Sequence, residues 1–218
     1  MTKAGKMENW VSVIKRALSG ELPGRKSHLK MLPTGRAMVL PGDKTEVKKS
    51  GVLIVIFPEE DELYCCLIKR QSHLKNHAGQ VGFPGGRMEK WDEDELKAAI
   101  REAEEEIGIV REKIVPLGAL SPLYVAVSGF LLYPFVAWSP SMPEFALNHW
   151  EVKKLLLFPV LSYLRERRTS VQKVETVTGW LHAPGIPFKE EFIWGATAMI
   201  LTEFFDVLEC SLSKEHMP

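Results

Sequence analysis

An α+β fold, with a mixed sheet held between helices, is what this 218-residue sequence predicts. Three observations carry the expectation. Leu96, Ile100, Ala103 and Ile107 recur at i, i+4, i+7 and i+11, the stripe of a helix facing a core. Short apolar runs at residues 52–57 and 63–70 flank Glu59, Glu60 and Asp61, and read as two strands of a hairpin. The order along the chain is helix, hairpin, loop, helix, several strands and a last helix, which suits a sheet covered on both faces.

The elements follow in order. Residues 7–18 have helical spacing through Trp10, Val13, Ile14 and Ala17, and Gly20 ends them. Residues 22–43 are rich in Pro, Gly and basic side chains and read as irregular, so residues 1–43 form an N-terminal helix and extension. After the hairpin comes a polar loop over 71–80, then a short strand at 80–83. The acidic helix spans 93–107 and Gly108 stops it. Strands are predicted at 114–120, 129–138 and 151–158, with Ser121-Pro122 a break. Pro159 opens a short helix to Leu164, and Arg165–Arg168 reads as a solvated basic turn. Residues 170–182 suit one or two exposed antiparallel strands, and 193–207 a closing helix.

Composition bounds the function. Basic and acidic side chains number 28 each, which argues against a general nucleic-acid or membrane-surface binder. No stretch is long and apolar enough to cross a bilayer, and the first residues lack a signal-peptide core. Cys65, Cys66 and Cys210 have no metal-ligand spacing and suit a reducing compartment. The expected location is cytoplasmic.

The chemistry concentrates in the helix. Glu102, Glu105 and Glu106 span an arc of about 100° at roughly 100° per residue. Like charges one turn apart, close to a helix C-terminus, destabilise a helix. A hard divalent cation, Mg²⁺ or Mn²⁺, can supply the missing positive charge through carboxylate oxygens. An exposed acidic helix is the alternative that these residues leave open. The glycines of Phe83-Pro84-Gly85-Gly86 suggest a tight turn that brings a backbone carbonyl to such an ion.

Together these stretches resemble the Nudix box, the loop–helix signature of Nudix hydrolases. Arg101–Ile109 matches its Arg-Glu-apolar-x-Glu-Glu-x-Gly-apolar half at every specified position, with Ala103 as the apolar residue. Counting back from Arg101 places the box's first glutamate at Glu93 and its glycine at Arg87, so Gly86 implies a one-residue insertion. The resemblance implies an α/β/α sandwich, with residues 44–218 as the hydrolase domain. It implies Glu102, Glu105 and Glu106 with the Gly86 carbonyl as metal ligands, and Glu105 or Glu102 as general base. Arg101 is expected to orient the carboxylates, with Glu93 as its partner. Glu151, Glu190 and Glu191 are remoter metal-ligand candidates. Ile193-Trp194-Gly195-Ala196-Thr197 also looks like Nudix sequences, and a well-packed helix start accounts for it.

Upstream, Arg70, Leu74, Lys75, His77, Gly79, Phe83-Pro84-Gly85-Gly86 and Asp92 resemble the extra signature of the coenzyme A pyrophosphatase branch. That branch carries the same insertion before the box arginine. Cys66, Ile68, Gln71 and Lys75 depart from its pattern. The resemblance implies Arg70, Lys75, His77 and Gly85 as substrate-binding residues, with Lys69 a further cation beside the turn. It implies hydrolysis of the diphosphate of coenzyme A or acyl-CoA to 3′,5′-ADP and (acyl-)4′-phosphopantetheine. Another nucleoside diphosphate derivative, such as ADP-ribose or a nucleotide sugar, or a non-catalytic binding module, are the alternatives. The expected partners are a nucleoside diphosphate-type small molecule and a second copy of the chain, with no nucleic acid and no membrane.

Overall fold

The structure is a computed structural model that describes residues 3–42, 46–74, 77–176 and 179–215, with side chains from Trp10 to Ser213 within them. Its centre is a hairpin of two long strands, β1 (Lys48–Glu59) and β2 (Glu62–Arg70). Both strands alternate between two cores, as a period of two demands. Leu53, Val55, Phe57, Cys66 and Ile68 face one core. Ile54, Ile56, Cys65 and Leu67 face the other. Each strand is therefore almost continuously apolar, which is what made the hairpin readable.

Around it an eight-stranded mixed sheet assembles from β3 (Val81–Gly82), β4 (Gly85–Arg87), β5 (Val115–Ala119), β6 (Leu123–Val125), β7 (Phe130–Trp138) and β8 (Val152–Pro159). β7 runs parallel to β1, with Leu53 opposite Phe135. β8 pairs antiparallel with β2, Ile68 opposite Leu155, and β4 pairs antiparallel with β1. A second sheet of three strands holds β9 (Ser170–Thr176), β10 (Gly179–Phe188) and β11 (Glu191–Trp194).

Helices cover both faces, so the architecture is an α/β/α sandwich. On one face lies α3 (Glu95–Ile107), whose Ala99, Ala103 and Ile107 are fully buried, with Leu96 and Ile100 at the margin. Asp94 caps it, its carboxylate accepting from the Lys97 N–H at 2.7 Å. Gly108, left-handed at φ 71°, ends it. The other face carries α5 (Gly195–Glu215), packed through Ala198, Leu201, Phe204, Phe205 and Leu208. α4 (Val160–Glu166) follows Pro159, as the sequence predicts.

The N-terminal segment holds α1 (Lys3–Leu18), a short α2 (Arg25–His28) and a 3₁₀ turn, where the sequence suggests an irregular stretch. Ile14, Ala17, Leu18 and Met31 join the core beneath α5. Buried polar pairs fasten it there. Glu203 of α5 accepts from the Gly24 and Ser121 N–H groups, each at 3.2 Å, and meets His28 Nε2 at 2.8 Å. Asp206 binds Ser27, Arg167 and Lys30. Arg167 of the basic turn is thus an anchor for α5, while Arg165 and Arg168 are exposed.

Two further sequence expectations are revised. Gly85-Gly86 is strand, hydrogen-bonded to β1, and only Pro84 bends the chain, so no tight turn forms. Three residues with two glycines carry no side-chain alternation, so such a strand leaves no periodic signal. Ile193-Trp194 likewise belongs to β11, and the helix begins at Gly195. Thr197 at its start donates to the Val81 carbonyl at 2.9 Å, a packing role. Cys65 and Cys66 are buried, and burial pushes both thiols well up from their ordinary range. No helix among the described residues is long and apolar enough to cross a membrane.

Candidate active site

The site forms where α3 lies against β4. Glu102 and Glu106, one turn apart, face that strand. Its backbone must come close to receive them: a Cβ built on Gly86 would stand 2.3 Å from the Glu102 carboxyl carbon. A side chain there would displace the Glu102 carboxylate from the strand. The Gly86 carbonyl accepts from the Ser50 hydroxyl at 2.7 Å and keeps a second lone pair.

Glu106 is 1% exposed. One carboxylate oxygen accepts from the Gly85 N–H at 2.9 Å, and the other from Arg70 Nη1 at 3.1 Å. Burial pushes its carboxyl up to about 7; the Gly85 and Arg70 contacts oppose the rise, while the Glu102 and Glu151 charges add to it. Glu102 is raised in the same sense, first by burial, against the pull of Arg101, with Glu105 and Glu151 adding to the rise. Glu105 lies on the open side, its side chain 56% exposed, with both oxygens 3.3 Å from Arg101 Nη1.

Arg101 organises this group. Its Nε and Nη2 bind both oxygens of Asp92 at 3.0 Å, and Nη1 binds Glu102 at 2.9 Å. Nη2 also donates to the Arg87 carbonyl at 3.2 Å, tying the helix to β4. The Arg101 hydrogen bonds hold the Asp92 carboxyl below its ordinary range. The partner of Arg101 is therefore Asp92, and the exposed Glu93 does not fill that place. Gly86 and Asp92 keep the spacing of a glycine, five residues and an acid. The extra residue falls between Asp92 and Arg101, in the loop that ends at the Asp94 cap. Helical counting back from Arg101 could not find this, because the residues before Asp94 are not helical.

Other candidates fall in several places. Glu151 lies in the turn directly before β8, and its charge acts on both Glu102 and Glu106, so the structure brings this remoter acid to the group. β2 explains how: β8 pairs with it, and the Gln71 N–H donates to the Glu151 carbonyl at 2.8 Å. Arg70 is engaged with Glu106. Lys69 binds both oxygens of Glu191, at 2.8 and 2.7 Å, so these two expected site residues pair with each other. Glu190 is exposed in the turn before β11. His77 is exposed, and its Nδ1 meets Gln80 Oε1 at 2.9 Å. Gly85 gives its N–H to Glu106. Lys75 lies outside the described residues.

Two arginines, Arg101 and Arg70, face four carboxylates, Glu102, Glu105, Glu106 and Glu151. Every donor atom on offer is a hard oxygen, the kind that Mg²⁺ and Mn²⁺ take. Among the described residues the α3 acids are turned to the arginines and the Gly85 N–H, Glu151 meets the Asn148 amide, and no three stand in ready ligating geometry. Burial is the main cause of the raised Glu102 and Glu106 carboxyls, with the neighbouring acids adding to it, and the all-oxygen donor set is what fits such an ion.

A sandwich whose middle helix carries this acidic face against a glycine strand defines the class, and comparison with known proteins agrees. Residues 47–170 match the family described as NUDIX domain. The uncharacterized Nudix hydrolase NudL of Yersinia enterocolitica is 37% identical over 157 residues, covering 68% of this chain and 74% of that protein. NudL of Pectobacterium atrosepticum, also described as uncharacterized, is 34% identical over 142 residues, covering 62% of this chain and 70% of that protein. A MutT protein structure from Methanosarcina mazei aligns at TM-score 0.48 and 17% identity, over 81% of this chain and all of that one. The chain belongs to the Nudix hydrolase family and is a pyrophosphohydrolase of that family.

Proposed function

We propose that this enzyme hydrolyses the diphosphate linkage of coenzyme A or acyl-CoA, giving 3′,5′-ADP and (acyl-)4′-phosphopantetheine. The observation that carries the reading is the clamp of Asp92 on Arg101. It accommodates the one-residue insertion that this chain shares with the coenzyme A branch, alongside Arg70, Leu74 and Phe83-Pro84-Gly85-Gly86.

Glu102 and Glu106, with the Gly86 carbonyl, would hold a Mg²⁺ or Mn²⁺ ion, and of the two roles open to Glu105, third ligand or base, this reading takes the base. Bound there, the ion supplies charge neutralisation of the diphosphate oxygens and a water of lowered pKa. The chain's own groups do the rest. Arg101 keeps Glu102 and Glu105 on one side of the helix, braced by Asp92. Arg70 and the Gly85 N–H fix the Glu106 carboxylate from two directions. Glu105 is the general base in this reading, because its carboxylate is the most open of the three on α3. It takes the proton of the attacking water as the water oxygen bonds to phosphorus. The bridging P–O bond breaks, and each phosphorus leaves on its own product.

The test is incubation with coenzyme A and Mn²⁺, with products separated by chromatography. The reading expects 3′,5′-ADP and 4′-phosphopantetheine in equal amounts. Absence of 3′,5′-ADP at high enzyme concentration rejects the substrate, and turnover of ADP-ribose or a nucleotide sugar in the same panel would reassign it. A Glu102→Gln, Glu106→Gln chain whose ligand binding and biological output are untouched would favour a non-catalytic module.

A further inference from the structure

Trp150 is 72% exposed, directly before Glu151, the acid whose charge reaches Glu102 and Glu106. An indole face left open to solvent beside an active site is available to a planar ligand. Its ring is already half of an aromatic pair: the His73 ring lies 4.7 Å away, tilted by 57°. The loop that carries it is tied down at several points. The Asn148 N–H donates to the Glu106 carbonyl at 3.0 Å, and the Ala146 N–H to the Ile107 carbonyl at 3.0 Å, so the loop hangs from the end of α3. The Trp150 N–H donates to the Asn148 side chain at 3.1 Å. From the opposite side, the Gln71 amide donates to the His149 carbonyl at 2.8 Å. Gln71 is one of the residues where this chain departs from the coenzyme A branch, and here its longer side chain props the loop that presents Trp150.

The other exposed tryptophans are placed differently. Trp91 directly precedes Asp92, the clamp on Arg101, and Trp180 sits on the β9–β10 hairpin beneath Lys173. A rigid aromatic face beside a diphosphate-cleaving centre suits a planar, uncharged ring better than a flexible aliphatic arm. Stacking of a base on an aromatic side chain supplies affinity for the nucleoside end of the substrate without reading its edge.

We propose that Trp150 is the platform on which the substrate's purine base stacks, positioned by His73 and by the Gln71-braced loop. The inference rests on the nucleoside diphosphate reading above but not on coenzyme A as the particular substrate. In that role Trp150 sets KM and leaves kcat nearly unchanged, since the base lies away from the reacting phosphorus.

The test is calorimetric titration, in Mn²⁺, of two non-hydrolysable ligands: α,β-methylene-ADP and base-free methylenediphosphonate. The wild type is expected to bind the nucleotide more tightly. Trp150→Ala should weaken the nucleotide roughly 5- to 100-fold and leave methylenediphosphonate unchanged. Trp150→Phe should keep most of the affinity, and Trp91→Ala should match the wild type. Equal binding of the two ligands by the wild type, or equal losses in Trp150→Ala, overturns the proposal. So does a change of elution volume with both affinities intact, which would make Trp150 a contact between copies of the chain. Coenzyme A turnover with an unchanged KM in Trp150→Ala rejects the stacking and keeps the substrate. No coenzyme A turnover, with the nucleotide loss still present, rejects the substrate and supports the stacking.

Discussion

Two helices of this molecule bury acids, and they treat them in opposite ways. On α5, Glu203 is fully buried and its contacts are two backbone N–H groups and an imidazole, with no carboxylate among them. On α3, Glu106 is almost as buried, yet Glu102 and Glu151 bear on it with the same sign of charge. The first arrangement is complete as it stands and fastens α2 to α5. The second sets like charges beside a strand of glycine. A buried acid met only by donors needs nothing further, whereas a buried acid with other acids beside its donors suits the proposed cation site.

The sharpest way to break that comparison is to neutralise each kind of acid in turn. Glu102→Gln or Glu106→Gln should lower kcat/KM about 100-fold or more while the fold survives, read by steady-state kinetics beside circular dichroism. Unchanged kcat/KM would make the α3 acids structural. Glu203→Ala should do the reverse. It strands His28, the buried Gly24 N–H and the part-buried Ser121 N–H, so urea unfolding should show a loss of about 3 kcal/mol, with activity per folded molecule kept. A loss below about 1 kcal/mol would mean that the latch between α2 and α5 adds little.

A smaller effect sharpens the same contrast through pH. Burial raises Glu106 from 4.5 to about 7, so the folded chain keeps a proton that the unfolded chain releases above about pH 4.5. Without divalent cation, stability should therefore fall as pH rises through that window and level off above it. The slope is at most about 1.4 kcal/mol per pH unit for this one group. Glu106→Gln should flatten it in thermal melts across pH 4–8, and an unaltered slope would assign the proton elsewhere.

The parts of this site that were legible in the sequence are those set by periodicity. The stripe of Leu96, Ile100, Ala103 and Ile107 fixes which face of α3 is buried, and so places Glu102 and Glu106 together. The hairpin of β1 and β2 was equally readable, because both strands are buried on both faces. What stayed hidden depends on chain pairing across long separations. Glu151 reaches the acids because β8 pairs with β2, and Lys69 meets Glu191 across 122 residues. Asp92 was visible as part of a signature, but its grip on Arg101 comes from a non-helical loop whose path no spacing rule gives. β4 escaped for a plainer reason, since glycines leave no pattern.

The most direct measurement is calorimetric titration of Mn²⁺ into the wild type and into Glu106→Gln near pH 7, with and without nucleotide. Saturable uptake accompanied by proton release is the predicted result for the wild type, with both lost or sharply weakened in the variant. No uptake by the wild type under either condition would contradict the central claim that the crowded acids of α3 are held for a cation.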